Sequence, residues 1–187
     1  MQRNEAIATF SNAMYPYVSA EFLTWLIENK FFDMPASVKY HGCHTGGLFE
    51  HSLSVMKHLV ALTENNGLTW QHPRSPYIVG MFHDLCKIDQ YRATHLDGIP
   101  VTTEFTQEPV LWEYNPDMLL KGHGEKSVML LAQHLTLTEE EIACIRYHMG
   151  AFTPEKEWND YTRAVNLWPN VLWTHHADML ASHVEGV

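Results

Sequence analysis

The chain has 187 residues, 12 Lys+Arg against 22 Asp+Glu, a formal net charge of −10 and 13 histidines. That length suits roughly one domain of about 150 residues, and 45% apolar with 18% charged residues excludes bulk disorder. The acidic balance disfavours a general binder of nucleic acid or anionic membrane, both of which want basic surface, but a small phosphorylated substrate is compatible with it because bound metal ions reverse the local field.

In chain order, Met1 to Glu5 leads into no apolar h-region, so no signal peptide is expected. No run approaches the ~18 apolar residues of a membrane span. Ala20 to Glu28 spaces Phe22, Leu23, Leu26 and Ile27 on one helical face. Gly47 to Glu64 is the longest helical pattern, with Phe49, Leu53, Met56 and Val60 in one stripe and a stop at Asn65-Asn66-Gly67. Ser75-Pro76 opens a third helix over Tyr77 to Ile88. Gln90 to Pro116, with Asp97-Gly98, Val101-Thr102-Thr103 and three prolines, reads as an irregular insertion holding a short β-hairpin. Helix resumes at Gly124 to His134 and at Thr138 to Met149, where Thr138 and Glu141 make a capping box. A short helix over Tyr161 to Leu167 and a last one from Asn170 to Val184 follow. The class is all-α with one small β excursion. Three cysteines (Cys43, Cys86, Cys144) without a CxxC pair suit buried thiols in a reducing compartment, so a cytoplasmic protein is expected.

Six positions stand out on this helix map: His51 in the first turns of the long helix, His83-Asp84 near the end of the third, His123 opening one helix, His148 closing the next, and Asp178 inside the last. Imidazole and carboxylate are what a borderline divalent metal takes from a protein. Adjacent helical residues lie about 100° apart, so His83 and Asp84 meet one metal pair only if the cluster sits at a helix end. His58, His72, His95, His134 and His183 are read as surface or hydrogen-bonded residues.

The order His, His-Asp, distal Asp resembles the metal-dependent HD superfamily of phosphohydrolases. The likeness is carried by Gly46-Gly47-Leu48-Phe49-Glu50-His51, similar to the Gly-Gly-Leu-x-Glu-His of the YhaM exoribonuclease type, and by His83-Asp84-Leu85-Cys86-Lys87. Gly122-His123-Gly124, His148-Met149-Gly150 and Ala177-Asp178 look like its further histidine and aspartate motifs. It implies one compact helical HD-type domain over residues 1–187, with the motif-bearing core at about 40–184. It also implies that His51, His83, Asp84 and Asp178 hold a first metal, and that His123 and His148 complete a second with Asp84 bridging. Two divalent transition metal ions are expected, manganese or iron first, with nickel, cobalt, zinc or magnesium as alternatives. Such ions, roughly 3.5–4 Å apart, activate water and clamp a phosphoryl group.

The function this implies is hydrolysis of a phosphoester or phosphoanhydride in a small nucleotide-like substrate, with Asp84 and Lys87 as the catalytic pair. Lys87 lies one turn from Asp84 and is either a phosphoryl clamp or a solvated helix-end lysine favoured by the dipole. Gly46-Gly47 either admits an anion to backbone amides or simply starts a helix. His44 and Lys126 are further substrate-binding candidates. His41 and His175 are pocket candidates, whereas His176 is not expected on the face of Asp178, and Arg146 either binds phosphate or, as we favour, points outward. Tyr91, Phe105, Trp112 and Tyr114 form either a base-stacking lid or, as we favour, a plain packing cluster. Two alternatives remain: a 3′→5′ exonuclease on single-stranded nucleic acid, against which the charge counts, and a di-iron oxygenase, since the same N/O ligands suit iron and manganese.

Overall fold

Ala6, Phe10 and Met14 recur at helical spacing and bury one face of a first helix, α1 (Arg3–Met14), which is not among the expected elements. The structure, a computed structural model, describes residues 1–94 and 111–187. Helix α2 (Ala20–Glu28) has the expected bounds, its N-terminus closed by the Ser19 hydroxyl accepting from Phe22 N–H. Helix α3 (Gly47–Asn66) ends where Gly67 turns left-handed at φ 62°, the conformation its sequence stop requires.

Helix α4 (Ser75–Phe82) is shorter than expected. It stops at Phe82, His83 and Asp84 form a turn, and Leu85–Ile88 winds as a 3-10 helix. Strands β1 (Tyr91–Thr94) and β2 (Leu111–Tyr114) pair antiparallel, Tyr91 opposite Tyr114, as the legs of the expected hairpin. Its connecting residues, with Asp97-Gly98, His95 and Phe105, lie outside the described residues. Helix α5 spans Gly124–Leu131, and α6 spans Glu139–Arg146 behind the predicted Thr138/Glu141 capping box. Because α6 ends at Arg146, His148 stands in the turn after it rather than in the helix. Helix α7 (Trp158–Leu167) is a turn longer than expected, and α8 (Asn170–Met179) continues as a π-helical turn, Leu180–Glu185.

Phenylalanines make the core. Phe10 meets Phe31, Phe32, Phe49 and Phe82 edge-on, with ring centroids 5.5–6.4 Å apart. Two close backbone approaches then position the site. A Cβ on Gly80 would stand 2.4 Å from Met56 Cα, so α4 crosses α3 at a distance only glycine permits. A Cβ on Gly124 would stand 2.3 Å from the Arg146 carbonyl oxygen, which ties the start of α5 to the end of α6. The first approach sets the end of α4 beside α3, and the second sets His123 beside His148 (centroids 5.0 Å). Helix α8 packs on α3 and α6 and supplies the remaining wall. Among the described residues, no helix is long and apolar enough to cross a membrane.

Candidate metal centre

All six expected ligand residues converge. His51 comes from α3, His83 and Asp84 from the turn after α4, His123 from the residue before α5, His148 from the turn after α6, and Asp178 from α8. The break at Phe82 is what lets His83 and Asp84 face the same place. Asp84 is 2% exposed and turns its two oxygens to two different groups. Oδ2 lies 3.6 Å from His51 Nε2 and 3.5 Å from His83 Nε2. Oδ1 lies 2.8 Å from His123 Nε2 and 3.5 Å from His148 Nε2. Asp178 Oδ1 joins the first group, 3.2 Å from His51 Nε2.

The protons in this cluster can be placed from its hydrogen bonds. Nδ1 of His83 and His148 donates to the carbonyl oxygens of Gly80 and Ile145 at 2.9 and 2.8 Å, and Nδ1 of His51 donates to a main-chain carboxylate oxygen of Val187 at 2.9 Å. These oxygens only accept, so the proton of each neutral ring sits on Nδ1 and Nε2 is a bare lone pair. His51 Nε2 and His83 Nε2 then face each other at 3.2 Å with no proton between them. His148 Nε2 and Asp84 Oδ1 are buried without an aligned hydrogen bond. Each unsatisfied buried acceptor is unfavourable by about 1–3 kcal/mol, and a cation is the one partner that serves them all. Two ligands about 2.1 Å from one ion and about 90–110° apart stand about 3.0–3.4 Å from each other, close to the spacings found here. The donor sets that fit divalent ions are His51–His83–Asp84, beside which Asp178 also stands, and Asp84–His123–His148, with His83–His148–Asp178 overlapping both.

The electrostatics agree. Burial pushes His83 down to about 3, keeping it neutral. Burial alone would raise the carboxyl of Asp84. Lys87 beside it nonetheless holds Asp84 well below the usual range. His123 goes the other way, up to about 10, because Cys86 and Asp84 outweigh its burial.

The other candidates separate by what already occupies them. Lys87 is 7% exposed, with Nζ 2.6 Å from Asp84 Oδ2, so it is not a solvated helix-end lysine. Lys126 is buried and ion-paired with Asp89. His44 is exposed, with Nε2 3.5 Å from Glu50. Gly47 is buried, and the amides of Gly46, Gly47 and Leu48 donate to the carbonyls of Asp33, His44 and Met34, which leaves them no free N–H for an anion. A Cβ on Gly47 would stand 2.0 Å from the Gly42 carbonyl oxygen, so this glycine serves a close approach of chain to chain. His41 stacks toward His51 with centroids 4.9 Å apart and is pushed down to about 4, mainly by burial. His175 is half-buried, its Nδ1 2.9 Å from the His148 carbonyl oxygen, while His176 is exposed. Arg146 pairs with Glu125 and Glu157. Tyr91 and Trp112 pack on the core, Tyr114 is exposed, and His134 stacks on Phe22.

Sequence reasoning passed over Cys86. Its Sγ lies 3.4 Å from Nδ1 of His123, and its place two residues after Asp84 is the one signal the sequence offers.

The chain is similar to the 3′–5′ exoribonuclease YhaM of Geobacillus sp. (strain WCH70), 30% identical over 136 residues that cover 70% of this chain and 36% of the relative. It thus spans about a third of that relative's length. No family model matches the chain, and no solved structure matches it.

Proposed function

We propose that this chain is a metal-dependent phosphohydrolase of the HD superfamily, with the metal-bearing part, about residues 40–184, forming one HD-type domain. In this reading His51, His83, Asp84 and Asp178 hold one divalent ion, and Asp84, His123 and His148 hold a second. The observation that carries it is the single buried carboxylate of Asp84, presenting one oxygen to each histidine group. Manganese or iron suits such a nitrogen and oxygen set. When bound, a pair of such ions acidifies water and polarises a phosphoryl oxygen.

The chain's own residues supply the rest. Asp84 orients both groups and is itself fixed by Lys87. The Lys87 ammonium has three N–H donors, of which Asp84 takes one, and the others serve a phosphoryl oxygen. The His41 ring beside His51, held neutral by its burial, closes one side of the cluster without adding positive charge. The three free thiols support a cytoplasmic setting.

The preferred substrate is a small nucleotide-like phosphoester or phosphoanhydride, on the ground of the −10 balance. Likeness to an exoribonuclease favours a second reading, removal of nucleotides from the 3′ end of a single strand. The decisive experiment measures metal content and the hydrolysis of nucleotides, bis(p-nitrophenyl) phosphate and an end-labelled oligonucleotide, in wild type and Asp84→Ala. Wild type should carry divalent metal and hydrolyse at least one of these, and Asp84→Ala should do neither. Full activity in Asp84→Ala would refute the assignment, stepwise shortening of the oligonucleotide would select the exonuclease reading, and oxygen consumption without hydrolysis would select an iron oxygenase.

A further inference from the structure

Three of the four clustered histidines are oriented alike, each with Nδ1 on a main-chain oxygen that only accepts. His123 is the exception. Its Nδ1 lies 3.4 Å from Sγ of Cys86, a fully buried thiol. A carbonyl fixes the proton on Nδ1, but a thiol donates and accepts, both weakly, so it commits the imidazole to neither tautomer.

Cys86 is itself held firmly. Its amide N–H donates to the Ser127 hydroxyl at 3.0 Å, and Sγ lies 3.9 Å from Gln90 Oε1. In the neutral ring that a metal requires, with the S–H turned toward Gln90, sulfur accepts from Nδ1–H and His123 presents a bare Nε2. With the S–H turned toward Nδ1, Nε2 carries the proton, faces Asp84 Oδ1 at 2.8 Å and is no ligand. Binding at the second group has to select the first arrangement, a requirement that His51 and His83 do not impose.

We infer that Cys86 is the positioning residue of His123, and that its thiol makes the Asp84–His123–His148 position the weaker of the two, filling after the first. This inference rests on the metal-dependent function proposed above. Partners that orient a metal-bound histidine typically change metal affinity by about 10–100-fold when removed.

The test is a calorimetric titration of the metal-stripped full chain with Mn²⁺, with stoichiometry checked by mass spectrometry. Wild type should bind in two steps, the first tighter by about tenfold or more. Cys86→Ala should weaken the second step by about 10–100-fold and leave the first within about twofold. Cys86→Ser, which restores an acceptor for Nδ1–H, should keep the second step at wild-type affinity or better, and His123→Ala should lose that step alone. Two equal steps in wild type, or a Cys86→Ala variant in which both steps weaken alike or neither does, would overturn the inference and leave the proposed function standing. A wild type that binds no metal would overturn both.

Discussion

The ion pair between Asp84 and Lys87 allows the strictest check on the site, because it can be tested without metal or substrate. Lys87 Nζ lies 2.6 Å from Asp84 Oδ2, with the two side chains 9% and 3% exposed. At an effective dielectric of about 20, opposite unit charges at that distance attract by about 6 kcal/mol, against a desolvation penalty of several kcal/mol per ion. Asp84→Ala therefore leaves a buried ammonium without a partner and should destabilise the metal-free protein by about 3–5 kcal/mol. Lys87→Met should be less damaging, because His123, raised to about 10, still faces the other carboxylate oxygen at 2.8 Å as a cation. The double variant removes the orphaned charge. It should be no less stable than Asp84→Ala, giving a coupling energy of about 2–3 kcal/mol. Urea unfolding in excess chelator, read by far-UV circular dichroism on all four proteins, measures the cycle. Additivity within about 0.5 kcal/mol would refute the pair as the anchor of Asp84. With metal restored, Lys87→Met should still bind both ions.

Three further outcomes follow from the same geometry. Gly47→Ala should destabilise by about 3 kcal/mol or more because its Cβ meets the Gly42 carbonyl. Gly46→Ala, strained only by its φ of 86°, should lose about 1–2 kcal/mol, and equal shifts in urea midpoint would sink this distinction. Phe10→Ala, at the centre of the phenylalanine cluster, should lose about 3–5 kcal/mol with unchanged metal stoichiometry by mass spectrometry. The metal-free protein should be most stable near neutral pH. His83, lowered to about 3, is protonated first in the unfolded chain, so stability falls as pH drops from about 6.5 toward 3, by up to about 1.4 kcal/mol per unit. His123, raised to about 10, contributes fully below about 6.5 and loses its contribution as pH rises through 10. Urea midpoints across that range check both limbs, and an acid limb that survives unchanged in His83→Gln would refute the first.

The helices whose apolar stripes are complete in one window were legible: α2, α3 and α6 start where their sequence signals place them, and the α6 capping box is present. Helix α1 was missed although Ala6, Phe10 and Met14 carry its face, since its other positions are mostly polar and its burial comes from phenylalanines far along the chain. The overrun of α4 to Ile88 has a similar origin. Apolar residues continue through Leu85 and Ile88 because the 3-10 turn is buried too, so hydropathy does not mark the break after Phe82. The ligand residue types could be picked out in the sequence, but their partners could not. That His51 rests on a main-chain oxygen of Val187 and His123 on the thiol of Cys86 is decided by residues distant in the chain, and the local carbonyls under His83 and His148 depend on helix breaks that hydropathy does not mark.

Net charge acquires a sharper meaning once the site has a geometry. With every histidine neutral as a metal ligand, the two carboxylates of the cluster exceed the one buried ammonium by a single charge, and two divalent ions would reverse that to a surplus of three positives. Elsewhere several cations already face acids: Lys126 faces Asp89, Arg146 faces Glu125 and Glu157, Arg74 faces Glu141, and Arg3 faces Asp33. A −10 chain arranged in this way concentrates its attraction for phosphate at one point. A mononucleotide or a single strand end gains that attraction in full, whereas each further phosphate of a long strand meets a chain whose net charge is negative. The two substrate readings therefore predict the same chemistry at the metals and differ in how affinity changes with the number of phosphates, so length dependence at fixed salt discriminates between them better than the presence of activity on either substrate.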